Sequence, residues 1–168
     1  GGRFSTNDLF IGNRQVRPGT ADVTLRGPSG SFPTLTVGST GGQGVGTFIG
    51  EAAPGQLNIE AGARAELNQG LSVGQRAQGI VIVSGLNAPP GTVSSLVVNG
   101  ETDVGIGAPG IVQLDTNAFM ESNGELMIGW GGGNPSGSVN VHSGSFIRVH
   151  GALAVGASGI GLLNILDE

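Results

Sequence analysis

Three carboxylates have a spacing that could serve a polysaccharide-active enzyme. Glu101 and Asp103 are two residues apart, so on a β-strand both side chains point to the same side, and Asp115, near the end of the next strand, could share that face. Hydrolases and lyases of acidic polysaccharides need two or three converging acids, usually beside a basic residue. Arg148 is too far along the chain to be assigned to this face, and exposed acids that keep a glycine-rich protein soluble explain the pattern more simply. We therefore expect no enzymatic activity.

The two histidines, His142 and His150, are the residues best suited to bind a transition metal. They are eight positions apart on what should be successive strands, and the nearest acids in the sequence are Glu121, Glu125 and Asp167. A zinc site would need one or two further ligands close by. The sequence therefore predicts two solvent-facing histidines and no metal site.

Two glycine motifs could bind a cofactor or an ion. Residues 105–110 match GxGxxG, but Pro109 lies inside the motif and a β-type segment follows it, whereas a dinucleotide site needs a helix there. Residues 41–48 resemble the calcium-binding nonapeptide, but Gly46 stands in the place of its aspartate. Both motifs indicate chain turns, and we expect no cofactor.

The composition favours many short strands joined by tight turns. Glycine supplies 34 of 168 residues, yet 38% of the chain is apolar, which is too much for a disordered linker. A net charge of −5 disfavours nucleic acid as a partner, and the absence of an 18-residue apolar run argues against insertion into a membrane as a helix. With no cysteine, disulfides are excluded. The chain begins Gly1-Gly2-Arg3, as a processed or partial chain would.

A four-residue word, apolar-x-(Val/Ile)-Gly, recurs along the chain. Most copies follow one another at about 25 residues, which suits one copy per coil of a solenoid, although the step from Gly38 to Gly50 is too short for a coil. The copies are Leu9–Gly12, Leu35–Gly38, Thr47–Gly50 (a weaker one), Leu71–Gly74, Val104–Gly107, Leu126–Gly129 and Leu153–Gly156.

A second word follows the first and places an apolar pair between two turn residues. Its copies are Gly55–Ala63, Gly110–Ala118 and Gly137–Ser145, with a further copy opening at Gly161 and a weaker one at Val23–Leu25. Asn117 replaces the second glycine of the word. Since asparagine is the residue after glycine that best tolerates positive φ, this exchange predicts a left-handed turn position.

These words predict an all-β parallel β-helix, or β-solenoid, of six to seven coils with three short strands per coil and no significant helix. Each word alternates apolar and polar residues, and such short strands bury their apolar side only when coils stack at about 4.8 Å, which gives a rod about 30 Å long. Residues 65–67 and 146–149 are predicted third strands. Glycines are expected at the corners: Gly38, Gly62, Gly74, Gly107, Gly129, Gly144 and Gly156.

The whole chain, residues 1–168, is predicted to be one solenoid domain. Residues 1–8 are expected to form a loose N-terminal arm, and residues 85–95 a loop insertion. This loop and the stretch 130–137 are candidate contact surfaces, and the residues expected to contact a partner there are Pro89, Pro90, Trp130 and Asn134.

The alternation of LxVG with GxLNIxxGA over residues 35–168 resembles the repeats of autotransporter passenger domains and of PEP-CTERM-type bacterial surface proteins. This resemblance implies a parallel β-helix at the cell surface or outside the cell. Members of those families include adhesins, autoaggregation proteins and structural surface layers, and a minority carry enzymes.

The leading hypothesis is an extracellular structural protein that assembles with itself head-to-tail, as a filament or surface-layer subunit. Strand edges at the ends of a β-helix add further strands unless they are capped. The last coil is expected to be unfinished, and the expected assembly ends are Gly1, Gly2, Arg3 and Phe4 together with Leu163, Asn164 and Ile165. Alternatives are an adhesin that binds a surface polysaccharide or another cell through its loops, and a polysaccharide-active enzyme.

Overall fold

The computed structural model describes residues 2–13, 20–27, 32–38, 46–131, 136–142 and 144–166. Every regular element within these ranges is a β-strand, and the strands form three parallel sheets of six strands each. The chain visits sheet A, sheet B and sheet C in turn and then returns to sheet A one level further along. The described residues therefore make six coils of three strands, which confirms the predicted β-solenoid.

The strands of each sheet come from successive coils. Sheet A contains β1 (Arg3–Thr6), β4 (Thr34–Val37), β7 (Arg64–Leu67), β10 (Ser94–Val98), β13 (Ala118–Ser122) and β16 (Phe146–Val149). Sheet B contains β2 (Leu9–Ile11), β5 (Thr47–Ile49), β8 (Leu71–Val73), β11 (Thr102–Val104), β14 (Leu126–Ile128) and β17 (Leu153–Val155). Sheet C contains β3 (Ala21–Arg26), β6 (Gly55–Glu60), β9 (Gly79–Ser84), β12 (Gly110–Asp115), β15 (Ser136–His142) and β18 (Ile160–Leu166).

The core lies between the three sheets and is built by alternation of inward and outward residues along most strands. In β6, Leu57 and Ile59 are fully buried while Asn58 between them faces outward. The parallel register then stacks like on like, because Leu57 is aligned with Val81 of the next coil and Ile59 with Val83. The inward columns of sheet C are thus continuous rows of aliphatic side chains, which no short strand could bury by itself.

One copy of the first word is assigned to the wrong strand class by the sequence pattern. Leu35–Val37 lies in β4 of sheet A, where Leu35 is aligned with Phe4 and Ala65. The weaker copy, Thr47–Ile49, is the true sheet B strand of that coil. Both corners need an inward apolar pair followed by a turn glycine, so the word alone cannot distinguish them. This misassignment explains the short step between Gly38 and Gly50.

Gly107 lies at the predicted corner, between β11 and β12, but it is not the residue at positive φ. The strand of that coil is Thr102–Val104, and the residue at positive φ is Gly105, two positions earlier. A shift of two residues preserves the inward–outward alternation of a strand, so alternation could not reveal the error. Thr102, which stands where four other coils have leucine, is buried and shares a hydrogen bond of 3.0 Å with Ser122.

The predicted loose arm is also wrong. Arg3–Thr6 forms β1, which pairs in parallel with β4, so most of residues 1–8 belongs to the first coil. Because β1 carries a single large apolar residue, Phe4, its sequence lacks the apolar alternation that predicts a strand. The extent of the last coil depends on where counting starts: from the first word it contains β17 and β18 among the described residues, and from β1 it contains β16, β17 and β18.

The other predicted turn positions are confirmed. Backbone φ is positive at Gly38, Gly62, Gly74, Gly129, Gly144 and Gly156. Asn117 has φ of 55°, as its exchange with Gly62 and Gly144 predicts.

The predicted insertion is confirmed with shorter bounds, residues 85–93, because Ser94 and Ser95 are buried parts of β10. The corner from sheet C to sheet A takes only two or three residues in the coils of β6, β12 and β15. Two turns shape the long loop: the Ala88 amide donates to the Gly85 carbonyl at 2.9 Å, and the Thr92 amide to the Pro89 carbonyl at 3.0 Å.

A second glycine column lies at or next to the start of the strands of sheet C. A Cβ atom added to Gly55, Gly79, Gly110, Gly137 or Gly161 would lie closer than 3.0 Å to the carbonyl oxygen that ends the sheet B strand of the preceding coil. At Gly110 that oxygen belongs to Val73. These glycines are required by the close approach of backbone to backbone.

We predict that Gly110→Ala lowers the free energy of unfolding by about 2 kcal/mol or more, because the added methyl group meets only backbone atoms, which cannot move aside. Urea unfolding followed by circular dichroism measures the loss. Gly2→Ala is the matched control, since nothing lies within 4 Å of its added Cβ, and it should stay within about 0.5 kcal/mol of the parent. Equal stability of the two variants would contradict this view of the column.

Candidate assembly interface

The end of the stack formed by β16, β17 and β18, here called the open end, exposes side chains whose aligned residues are buried in the coils between the two ends. Leu153, Val155 and Ile165 are 49%, 45% and 69% exposed, whereas the residues aligned with them in the preceding coil are buried: Leu126, Ile128 and Val141. The predicted end residues Leu163, Asn164 and Ile165 all lie in β18. The open end thus combines an apolar layer with three strand edges.

Apolar exposure continues from the open end onto the side of the rod. Ile160 and Leu162 are exposed and line a groove of about 210 Å³ together with Ile111 and Pro109. Ile111 and Leu162 belong to the same outward column of sheet C. Exposed apolar surface of this kind marks interaction sites.

The opposite end, formed by β1, β2 and β3 and here called the first-coil end, is less exposed. Ile11, at the position aligned with Val155, is buried, and Leu9, Val23 and Leu25 are half-buried. Phe4 points inward from β1 and is 59% exposed. Among the predicted end residues, Arg3 begins β1, Gly2 precedes it, and Gly1 lies outside the described residues.

Sheet A has a polar groove beside the first-coil end. Arg3, Thr34 and Arg64 are aligned on neighbouring strands, and with Phe4, Ser5 and Thr36 they line a volume of about 350 Å³. Arg64 is paired with Glu66 at 3.4 Å. The groove is therefore a weakly positive surface next to the strand edge of β1.

A cluster of charge occupies sheet A near the open end. His150 Nε2 lies 2.9 Å from a carboxylate oxygen of Glu121, and Arg148 lies 3.5 Å from the same oxygen. The hydrogen bond with His150, helped by the charge of Arg148, lowers the pKa of Glu121. Arg148 also lies 5.9 Å from the ring centre of Phe119, which stacks on Phe146. His142 lies at the end of β15 in sheet C, so the two histidines are on different sheets.

The structure does not assemble the three carboxylates proposed for catalysis. Asp103 faces outward from β11 in sheet B, but Asp115 ends β12 in sheet C, where it accepts a hydrogen bond from Gln113 at 2.7 Å. Besides Glu101, the carboxylate that acts on Asp103 is that of Glu125 in the next coil. Burial is the largest cause, and together with the charges of Glu101 and Glu125 it raises the pKa of Asp103 to about 6. Among the described residues, no group of three or more histidine, aspartate or glutamate side chains could hold a metal ion.

This raised pKa predicts a pH dependence of stability. The folded state binds the Asp103 proton more tightly than the unfolded state, so the stabilisation is complete below about pH 4 and is lost as the pH rises through about 6. Asp103→Asn should therefore gain in melting temperature over the parent as the pH is raised from 4 to 7. Asp22→Asn, which removes a carboxylate from sheet C, is the control. If the difference between Asp103→Asn and the parent does not change with pH, this explanation is wrong.

A row of asparagines at the corner from sheet A to sheet B escaped the sequence analysis. The side-chain amide of Asn68 donates to the Gly38 carbonyl at 2.8 Å, that of Asn99 to Asn68 at 2.9 Å, and that of Asn123 to Asn99 at 2.8 Å. Each asparagine directly follows a strand of sheet A, and this recurrence is the signal that could have found the row. Asn68 and Asn99 each donate one hydrogen bond and accept another, so the row ties consecutive coils together along the rod axis.

We expect Asn99→Asp to weaken this row by removing the donor to Asn68 and by adding a charge beside Glu101. The loss should be about 1 kcal/mol or more in the free energy of unfolding, measured by denaturant titration at pH 7. Asn87→Asp, in the exposed loop, is the matched control and should leave stability unchanged. A loss of the same size in both variants would show that the row contributes nothing.

The structure separates the two loops expected to contact a partner. Pro89 and Pro90 lie in the loop of residues 85–93, at the corner from sheet C to sheet A, while Trp130 lies at the corner from sheet B to sheet C. Trp130 is exposed and precedes Gly131, whose amide donates a hydrogen bond to Ser158 Oγ at 2.9 Å. Asn134 lies outside the described residues.

No protein family model, no curated protein and no solved structure matches this chain. In the described part of the chain, no helix is long and apolar enough to cross a membrane. The three parallel sheets show that the fold is a β-solenoid.

Proposed function

We propose that this protein is a non-catalytic structural element, located outside the cell or on a bacterial cell surface, that assembles head-to-tail with further copies of itself. The observation that carries the proposal is the open end, where Leu153, Val155 and Ile165 are exposed in positions that are buried in the preceding coil. Three parallel strand edges accompany them, and such edges pair with further strands unless they are covered.

The first-coil end of a second copy matches the inward columns of this surface in sheets B and C. Continuing the parallel register beyond the last coil places Leu153 beside Leu9 and Val155 beside Ile11 in sheet B. In sheet C it places Leu163 beside Val23 and Ile165 beside Leu25. These four inward pairs are apolar on both sides, as are the aligned pairs of Leu57 with Val81 and Ile59 with Val83 inside the chain.

The outward columns also fit at such a junction. Asn164 would lie beside Thr24, and within the chain Thr24 accepts a hydrogen bond of 3.2 Å from Asn58, another asparagine of the same column. Phe146 would lie beside Arg3, a cation next to an exposed ring, which is favourable. A copy joined in this way buries the apolar layer and pairs all three strand edges.

The resemblance of the repeat words to autotransporter passenger domains and PEP-CTERM-type surface proteins supports a location at the cell surface. Family members with structural and autoaggregating roles carry out the kind of function proposed here. The charge of −5 and the absence of cysteine are compatible with that location.

This proposal predicts filaments. Electron microscopy of the purified chain should show rods whose axial repeat is about 30 Å, the length of six coils at 4.8 Å each. The double variant Leu153→Glu, Ile165→Glu should stay monomeric in sedimentation velocity, because burying two carboxylates against the apolar residues of a second copy is too costly. Leu86→Glu, which adds a charge to an exposed loop on the side of the rod, should assemble like the parent. Monomers alone, at all concentrations of the parent chain, would exclude head-to-tail assembly.

An adhesin is the second candidate, and the loop of residues 85–93 favours it. Leu86 and Val93 are exposed in this loop. Phe32 is also exposed, and its ring lies beside Gly62 at the same corner. A partner such as a surface polysaccharide or another cell could bind this patch. Replacing residues 86–92 by a short Gly/Ser turn should abolish adhesion of coated beads to cells while the circular dichroism spectrum stays unchanged.

A further inference from the structure

The first-coil end departs from the rest of the stack at one backbone position. At or next to the start of each sheet C strand, one aligned position is glycine in five coils: Gly55, Gly79, Gly110, Gly137 and Gly161. In the first coil the aligned residue is Ala21. Its amide donates to the Pro54 carbonyl at 3.0 Å, just as the Gly55 amide donates to Gln78 at 3.0 Å, so the backbone of Ala21 occupies the same place in its coil.

The five glycines share one reason for lacking a side chain. In each case an added Cβ would approach the carbonyl oxygen of the last sheet B residue of the preceding coil, for example Ile11 for Gly55 and Ile128 for Gly161. All of these approaches are closer than 3.0 Å, a separation that real Cβ atoms essentially never show. Ala21 tolerates its methyl group because no coil of the described residues lies before its own.

At a head-to-tail junction the preceding coil is the last coil of the neighbouring copy. Val155 is the residue aligned with Ile128 and Val104, so its carbonyl oxygen would lie against the methyl group of Ala21. That oxygen is also the acceptor for the Gly12 amide, by analogy with the bond of 2.9 Å from the Gly50 amide to Ile11. The methyl group therefore competes with a backbone hydrogen bond of the junction.

The open end carries no comparable obstacle. Gly156 keeps the positive φ of the other corner glycines, and the nearest atom to an added Cβ there is the Gly159 oxygen of its own coil at 3.3 Å. At Gly129, one coil earlier, the same space is filled by the backbone of Ile160. The two ends of the rod are thus unequal: one has an empty place for the next coil, and the other has a methyl group in the way.

We infer that Ala21 limits the joining of one copy to the next, so that the head-to-tail junction is weaker than the contact between two coils of one chain. This inference rests on the proposed self-assembly and specifies its control: the partner is a second copy of this chain, and the restricting group is the Ala21 methyl. The junction forms only with a local shift of the β3 backbone away from Val155. Assembly therefore requires a higher protein concentration than a fully glycine-lined junction would.

The test compares the concentration at which filaments first appear for the parent, Ala21→Gly and Ala21→Val, measured by sedimentation and electron microscopy. Ala21→Gly should lower this critical concentration about tenfold or more, since relieving an overpacked contact of 1.4 kcal/mol corresponds to a factor of ten. Ala21→Val should raise it. Ala88→Gly, the same change in the loop of residues 85–93, is the matched control and should leave it unaltered.

The outcomes separate the inference from the function on which it rests. If the parent and Ala21→Gly assemble at equal concentrations, Ala21 is not a restriction although head-to-tail assembly stands. If Ala21→Gly remains monomeric at every concentration, both ideas are wrong. Thermal unfolding of the dilute monomers completes the test. Glycine in a strand does not stabilise the fold, so the Ala21→Gly monomer should be no more stable than the parent monomer. Assembly of Ala21→Gly at a lower concentration then has to come from the junction.

Discussion

The structure depends on the contact of backbone against backbone where sheet B turns into sheet C. There the carbonyl oxygen that ends one sheet B strand lies so near the aligned glycine of the sheet C strand in the next coil that a side chain cannot be accommodated at that position. This approach lets the coils stack at the spacing of a parallel sheet while the chain turns a sharp corner. The inward alignment of aliphatic residues follows from it, because the corner fixes the register of both strands that it joins.

Since each coil contacts only its neighbours, the stability of the rod is close to a sum of similar layers. Polar contacts add to the same layers. On the surface, the asparagines after sheet A connect one coil to the next. Inside the rod, the buried pair of Thr102 and Ser122 connects a strand of sheet B with a strand of sheet A. The two terminal layers lack one neighbour each. The side chains exposed in these layers, above all Leu153 and Ile165, would therefore be buried if a further coil stacked on them.

The sequence was sufficient for the fold class, the three strands per coil and most turn glycines, because these features repeat and each has a stereochemical cause. It was insufficient where two places impose the same demand. Leu35–Gly38 and Thr47–Gly50 both satisfy a strand followed by a left-handed turn, and only pairing assigns the first to sheet A. Gly105 and Gly107 are separated by exactly one period of a strand. The prediction that the candidate acids share one face failed for another reason. A corner separates Asp103 in β11 from Asp115 in β12, and strand alternation does not predict the direction that the chain takes after a corner.

Residues 85–93 show how this architecture can acquire length. Nine residues replace the two or three that suffice at this corner in the coils of β6, β12 and β15, yet β9 and β10 keep their register with the coils on both sides. An insertion at this corner changes the cross-section of the rod and leaves its pitch untouched. The ridge that runs along the corner between sheets C and A is thus a place where new segments can be grafted or exchanged, while the number of coils alone sets how long the rod is.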